Sequence, residues 1–397
     1  MRLATLLLLL SLAPAAAQSW APQASGTGAD LHGVHFVDAQ TGVAVGAGGV
    51  VARTTDGGQS WALQTLPADD LEGVAFNPSG TVGLAASDDG PVFRTTDGGA
   101  TWSAVFTGAG DLRDVSWADD DVAWVAGRDG DAAVSADGGL TWAYRNTGSV
   151  QRTESVAAVS AAEAFVGNRG GEMRRTTDGG LTWMPVGSGT GEDLTDIQML
   201  GATGFVAGSG DTVLKTTNGG TSWVGVSNGE AGNGGLFFLD PDTGWTVGEG
   251  GEIWFTSDGG ASWVLQPSGT GAHLAGVHFP TPTAGWAVGA GGAIVHFSAV
   301  GTAAEPDAPS GVAVLSTAEP NPFSTTTQLV LTLERSQTVT VAVVDALGRR
   351  VATLHEGTVS AGAHRMTVRA ADWPAGVYVV RASGEAFSAV RHLTLVR

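Results

Sequence analysis

The sequence holds no cysteine, a single lysine (Lys215) and two tyrosines in 397 residues. Without thiols, disulfide staples, cysteine nucleophiles and thiolate metal sites are excluded. Basic residues are also scarce, 19 against 39 acidic ones, for a net charge of −20. A chain this anionic is expected to bind neither nucleic acid nor an anionic membrane surface. Apolar runs are short after the first dozen residues, so no transmembrane segment is expected. Helical periodicity is missing throughout, which argues against helix-based sites.

Met1-Arg2, Leu6 to Leu12 and Ala15-Ala16-Ala17 form a secretory signal over residues 1–17, with cleavage expected after Ala17. Glycine is abundant, 61 residues, and much of it sits in one recurring phrase. Thr54-Thr55-Asp56-Gly57-Gly58-Gln59-Ser60-Trp61 returns at Thr95–Trp102, Ser135–Trp142, Thr176–Trp183, Thr216–Trp223 and Thr256–Trp263. Its third residues, Asp56, Asp97, Asp137, Asp178, Asn218 and Asp258, lie 41, 40, 41, 40 and 40 apart. So regular a period marks a repeat architecture with one supersecondary unit per period.

Each unit reads as four short strands. In the first, Val34 and Phe36 share a face, a turn leads to Val43-Ala44-Val45, a glycine turn leads to Val50–Arg53, and Trp61 opens a fourth strand. This is a β-propeller blade. A seventh unit runs from His273 to Phe297 but lacks the phrase, whereas Ser19-Trp20-Ala21-Pro22 looks like the end of one. The two fragments predict that residues 19–23 supply the outer strand of the last blade. The fold class expected is all-β: a seven-bladed β-propeller over residues 18–299, followed by a small Ig-like β-sandwich.

The repeated phrase matches the Asp-box, Ser/Thr-x-Asp-x-Gly-x-x-Trp/Phe. Its carboxylate and hydroxyl suit a hairpin turn by accepting backbone N–H bonds, and its tryptophan fills space between sheets. Asn218 carries no charge, so acid–base chemistry at all six boxes is untenable and a structural role is expected for Asp56, Asp97, Asp137, Asp178, Asn218 and Asp258. The Gly-x-Ala-Val-Gly and Thr-Thr-Asp-Gly-Gly-x-Thr-Trp phrasing resembles the photosystem II assembly and stability factor family. That resemblance implies a seven-bladed propeller with an arginine patch that holds a membrane-protein client.

Residues 300–316 read as a linker rich in Pro and Ala. Beyond it, residues 317–397 carry Pro320-Asn321-Pro322-Phe323, Val344-Asp345-Ala346-Leu347-Gly348-Arg349, Pro374-Ala375-Gly376-Val377-Tyr378 and a terminal Arg391–Arg397. In this order they closely resemble the type A sorting domain of type IX secretion cargo. The resemblance implies export through the type IX machinery to the medium or the outer-membrane surface of a Gram-negative bacterium, via the periplasm. Such export argues against a photosynthetic client.

Seven of the ten basic residues of the propeller fall in blades 3 and 4. Arg128 and Arg169 occupy the same turn of adjacent repeats, and Arg113 and Arg152 stand near the start of the inner strands. Turns of these two kinds emerge on one face, so Arg113, Arg128, Arg152 and Arg169 form a candidate binding patch for a protein or glycan partner. The alternative is local pairing with Asp114, Asp129 or Glu154. Asp30, Asp70, Asp111 and Asp193 precede inner strands and form a second candidate, a ring for Ca²⁺ or a cationic partner, or else turn acceptors. His35 and His278 should become neighbours when the ring closes, but two histidines alone make no metal site, and no cofactor is expected.

An enzyme is the competing class. Asp-boxes also occur in sialidases and other glycan-cleaving propellers, but Tyr144 is the one tyrosine outside the sorting region and no blade carries an insertion. Binding predicts arginines on a shallow face and no buried carboxylate. Catalysis predicts a pocket with Tyr144 or two carboxylates of perturbed pKa.

Overall fold

The computed structural model describes residues 18–106, 110–226, 234–299, 313–315, 323–333, 337–345, 350–370, 373, 376–384 and 388–396. The signal over 1–17 and most of the 300–316 linker lie outside them. The chain divides into two compact units, 1–302 and 303–397. Among the described residues there is no α-helix, and no helix is long and apolar enough to cross a membrane.

The first unit contains seven four-stranded antiparallel sheets, the blades of the propeller. Blade 1 runs through Leu31–Phe36, Gly42–Gly46, Val50–Thr54 and Ala62–Thr65, paired in that order. The second strand of each blade is the core: Gly42–Gly46 is buried at every position, because both of its faces meet neighbouring sheets. Between blades the aromatics repeat a contact. Phe36 of blade 1 stacks on Trp286 of blade 7 at 3.5 Å, Phe238 of blade 6 on Phe205 of blade 5 at 3.5 Å, and Phe279 of blade 7 on Trp245 of blade 6 at 3.7 Å. Gly46 ends its strand where no side chain fits, since a Cβ there would lie 2.0 Å from the carbonyl oxygen of Asp30.

Blade 7 is built from both ends of the unit. Leu274–Thr281, Ala284–Gly289 and Ala293–Ala299 are its first three strands, and Gln18–Ala24 pairs antiparallel with the third, Trp20 opposite Phe297. Closing the ring in this way leaves the last long strand without an open edge. First strands contact first strands all around the axis and line a central channel.

The second unit is a sandwich of two antiparallel sheets. One holds Ala313–Leu315, Thr326–Leu333 and Gly362–Arg369, and the other Arg350–Val359, Gln337–Asp345, Gly376–Gly384 and Ser388–Leu395. Leu329, Leu331, Val341, Val343, Val380 and Leu393 fill the space between them. Ala313–Leu315, read above as the tail of the linker, is instead a strand, with Ala313 opposite Leu333. A three-residue apolar stretch is too short to stand out by periodicity and is recruited by the edge beside it. Phe323, the last residue of the Pro-Asn-Pro-Phe motif, is buried and its carbonyl accepts from Val396 N–H at 2.8 Å.

Candidate functional site: arginine face and central channel

The Asp-boxes close the turns between third and fourth strands, on the periphery. In the first, Thr54 Oγ1 donates to Asp56 Oδ1 (2.8 Å) and accepts from Gly58 N–H (2.9 Å), while Asp56 accepts from Ser60 N–H (2.9 Å) and the Ser60 hydroxyl (2.6 Å). Asn218 keeps the acceptor bonds from Thr216 and Ser222 N–H and turns its amide toward Ser222 Oγ as donor. These carboxylates are occupied by their own turns.

Basic residues divide into three groups that sequence reasoning did not separate. Arg53, Arg94 and Lys215, at one position of the third strand, reach into the next blade's Asp-box and donate to the carbonyls of Gly98 (2.7 Å), Gly138 (2.7 Å) and Gly259 (3.0 Å). Arg145, from a fourth strand, does the same to Gly179 (2.5 Å). For Arg53, Arg94 and Lys215 the place just before the box Thr was the available signal, one that Arg175 shares although it turns to Glu163. Arg174 and Arg175 pair with Glu172 (2.6 Å) and Glu163 (2.5 Å). What remains is Arg113, Arg128, Arg152 and Arg169.

Two carboxylates organise these four. Asp111 holds Arg128 Nε at 2.6 Å and has Arg113 Nε at 2.8 Å, the latter out of line for a hydrogen bond. Glu154 holds Arg169 Nε at 2.5 Å and lies 3.4 Å from Arg152 Nε. Arg113 also pairs with Glu72, itself bound to His32 Nδ1 at 3.2 Å, and that bond raises the His32 pKa. Burial pushes the Glu154 pKa up against the pull of Arg169. Arg113 and Arg152 are largely covered, with side chains 15% and 21% exposed, whereas Arg128 and Arg169 are 55% and 48% exposed. Of the acids proposed from sequence as local partners, only Glu154 serves. Asp114 turns into the channel instead, because a register shift between Leu112 and Asp114 rotates the strand.

The acids at the strand starts are turn acceptors in three of four cases. Asp30, Asp70 and Asp193 accept from the N–H of Gly291 (2.7 Å), Gly48 (2.8 Å) and Gly170 (2.8 Å), each in the preceding blade. Asp111 is the exception, drawn to arginine. Among the described residues, Asp70, Glu72 and Asp88 bring ligand atoms within 4.8 Å of one another. Glu72 is committed to His32 and Arg113, and Asp88 Oδ1 accepts from Asp70 N–H at 3.0 Å.

Inside the channel, side chains of first strands cap the N–H groups of the next blade's inner edge. Val156 N–H donates to Asp114 (2.8 Å), Ala158 N–H to Ser116 (3.1 Å), Leu236 N–H to Asp196 (2.9 Å) and Phe238 N–H to Gln198 (2.7 Å). At the closure, Phe36 N–H donates to His278 Nδ1 (3.3 Å), and His278 stacks against His35 with centroids 4.0 Å apart. Burial lowers the pKa of both histidines, His35 to about 4, so both are neutral at neutral pH. Burial raises Asp114 to about 7, with Asp196 adding to the effect, and raises Asp196 to about 6. The two carboxylates border a cavity of about 500 Å³ on the His35 side and one of about 330 Å³ on the Arg113 side. Tyr144 lies elsewhere, exposed on the fourth strand of blade 3 with its hydroxyl donating to Asp131.

Residues 12–109 match the family model of the photosynthesis system II assembly factor YCF48, and residues 319–395 that of a secretion system C-terminal sorting domain. No curated protein matches. Many solved structures match, and two of them are propellers described as YCF48. One, described as YCF48 bound to D1 peptide, is 21% identical with a TM-score of 0.60, over 70% of this chain and 96% of that one. The other, YCF48 from Cyanidioschyzon merolae, is 20% identical with a TM-score of 0.57, over 70% and 98%. The sorting domain marks the protein for type IX export to the cell surface or the medium. The chain is thus an Asp-box β-propeller resembling the YCF48 assembly factors, joined to a secretion-system C-terminal sorting domain.

Proposed function

We propose that the protein is a non-catalytic binding propeller that, once exported, holds a protein partner on the arginine face of blades 3 and 4. The observation that carries this reading is the equivalent placement of Arg128 and Arg169. Each is about half exposed and anchored through Nε on its own carboxylate, Arg128 on Asp111 and Arg169 on Glu154. Anchoring through Nε leaves the terminal nitrogens of the planar fork for carboxylates or carbonyls of a partner. The rest of the propeller is strongly anionic, so acidic segments find their attraction at this face. A structurally similar propeller described as bound to a D1 peptide supports a peptide segment over a glycan as the class of partner.

Asp114 and Asp196 favour the second reading, a glycan-cleaving enzyme, because they are two half-buried channel carboxylates of raised pKa beside a cavity. Against it, Asp114 accepts a backbone N–H on each oxygen, from Val115 (2.7 Å) and Val156 (2.8 Å), and Asp196 accepts from Leu236. The same capping is done without charge by Ser116 and Gln198. Tyr144 and Glu154 are each committed to other partners and lie on different strands.

The test compares the full chain with its Arg128→Glu/Arg169→Glu variant as bait for the native cell envelope and medium. A partner held by the parent, released by moderate salt and lost by the variant supports the reading. Identical captures, or glycan hydrolysis that disappears with Asp114→Ser, overturn it.

A further inference from the structure

The first-strand position after the register shift in six blades, with Gly235 just before the sixth blade's first strand, forms one layer around the channel: Gly33, Gly73, Asp114, Ser155, Asp196, Gly235 and Gly276. Neighbours in this layer nearly touch. A Cβ on Gly73 would lie 3.2 Å from Asp114 Oδ1, one on Gly235 3.4 Å from Asp196 Oδ2, and one on Gly276 3.6 Å from the Cα of Gly33. Five of the seven positions therefore serve the fold with Gly or Ser. The two carboxylates, on alternate blades with Ser155 between them, cap backbone N–H groups as Ser116 and Gln198 do without charge, so their charge is more than the capping requires, and desolvating it is costly. No Lys or Arg lines the cavity of about 500 Å³ beneath them. Its walls are instead aromatic and amide groups, Phe76, Trp117, Phe237 and Gln198, and the neutral His35 and His278.

We propose that this cavity is a binding site for a small organic ammonium ion, held between the Asp114 and Asp196 carboxylates and the aromatic wall. A carboxylate has about four acceptor positions and each of these uses two or fewer on the backbone, so capacity remains for N–H donors. Ring faces attract alkylammonium groups, the more so when water is excluded. A divalent metal fits less well. Among the described residues the one trio with ligand atoms close enough for a metal is Asp70, Glu72 and Asp88, not this pair. Two separate carboxylates suit a cation with several donors, a diamine best of all.

The groups facing the pair are His35 and His278 below, and His32, Glu72, Arg113, Glu154 and His273 above. Those below are neutral, and those above include the paired Arg113 and Glu72 and also His32, whose raised pKa brings positive charge as pH falls, so protonation of Asp114 and Asp196, reinforced by that of His32, weakens ammonium binding between pH 8 and 5. Calorimetric titration of the full chain with 1,4-diaminobutane and with n-butylammonium should show one site. Binding should weaken about tenfold or more from pH 8 to pH 5 and vanish in Asp114→Ser/Asp196→Ser, which copies Ser155 and should fold. Absent binding, a pH-independent affinity, unchanged binding in the double variant, or binding of Ca²⁺ in place of the amines overturns the proposal. Should the double variant fail to fold, Asp114→Ser alone and the pH series on the parent decide it.

Discussion

Trp20 should behave as a keystone of the propeller although it lies only three residues from the expected signal cleavage site. It is 5% exposed, packs edge-on to Phe279 at 5.6 Å and against Phe297 at 5.2 Å, and donates to Gln266 Oε1 at 2.8 Å. Truncating a buried tryptophan costs about 3–5 kcal/mol, from lost transfer and the cavity left behind. The lower half of that range applies, because Gln266 Oε1 still accepts from Trp245 Nε1 at 3.2 Å and is not orphaned. Trp20→Ala should therefore cost about 3–4 kcal/mol. For a domain of this size that is about 2 °C per kcal/mol, a fall of roughly 6–8 °C in melting temperature. Trp20→Phe keeps the packing and loses one shared hydrogen bond, so about 1 kcal/mol and roughly 2 °C are expected. Removing residues 18–24 should do more, since it opens Ala293–Ala299 as an edge and invites aggregation. Calorimetry on the full chain reads the propeller transition, and the sorting domain provides an internal reference if it melts separately. A Trp20→Ala protein that melts within about 1 °C of the parent would refute the argument that the ring is closed energetically by its first strand.

Three further outcomes are expected. Bonds from Thr101 and Thr95 lower Asp97 from 3.8 to about 2, so its contribution is full above about pH 4 and lost as pH falls through 2. Asp97→Asn, which copies Asn218, should match the parent near pH 7 and overtake it near pH 2.5 in denaturant midpoint, and a constant offset would contradict the account. Asp114 has the opposite sign. Its pKa rises from 3.8 to about 7 on folding, so the stability linked to its protonation is present below pH 4 and lost as pH rises through 7. Asp114→Ser should accordingly gain on the parent between pH 4 and 8 in melting temperature, and a pH-independent difference would show the carboxyl is not buried. Finally, Gly46→Ala should destabilise by about 2 kcal/mol or more through its clash with Asp30, and Gly48→Ala, at φ +67° with open space around it, by only about 1 kcal/mol; equal urea midpoints for the two would refute the steric reading.

Much of the fold was legible because the Asp-box is a local device. Thr54, Asp56, Gly58 and Ser60 satisfy one another within four residues, so the constraint is written at fixed spacing in every copy. The closure of blade 7 was legible for a related reason: Trp20 and the box missing after Phe297 are halves of one local pattern. The arginine partners were not legible by that route. Arg113 meets Glu72, 41 positions earlier, while the acids beside it in sequence include Asp114, which faces the axis. In a propeller the nearest neighbour of a side chain on the face often lies one period away. Arg113 therefore draws on a carboxylate one period away as well as on Asp111 two residues before it, and the cross-blade partner is the one that reading along the strand misses.

The same reasoning explains why the channel carboxylates escaped a reading made strand by strand. Within its own strand, Leu112-Arg113-Asp114-Val115, Asp114 looks like one more acid beside an arginine, and simple alternation does not turn it inward because the register shift intervenes. Read down the column of equivalent positions, it and Asp196 are the two charges in a layer otherwise made of Gly and Ser. A repeat protein offers this internal comparison without any relative. Six or seven versions of one position show what the fold requires, and a departure that costs solvation energy, as a partly desolvated carboxylate does, marks where something other than the fold is at work. By that measure Arg128 and Arg169 on the face and Asp114 and Asp196 in the axis are separate departures. They carry opposite charge and sit in different surroundings, one on the outer face and one in the channel, so a single ligand that explained both would need an anionic part on the face and an ammonium part in the channel. The double variants distinguish this case: loss of partner capture on removing Asp114 and Asp196 would join the two sites, and capture that depends on the arginines alone would keep them apart.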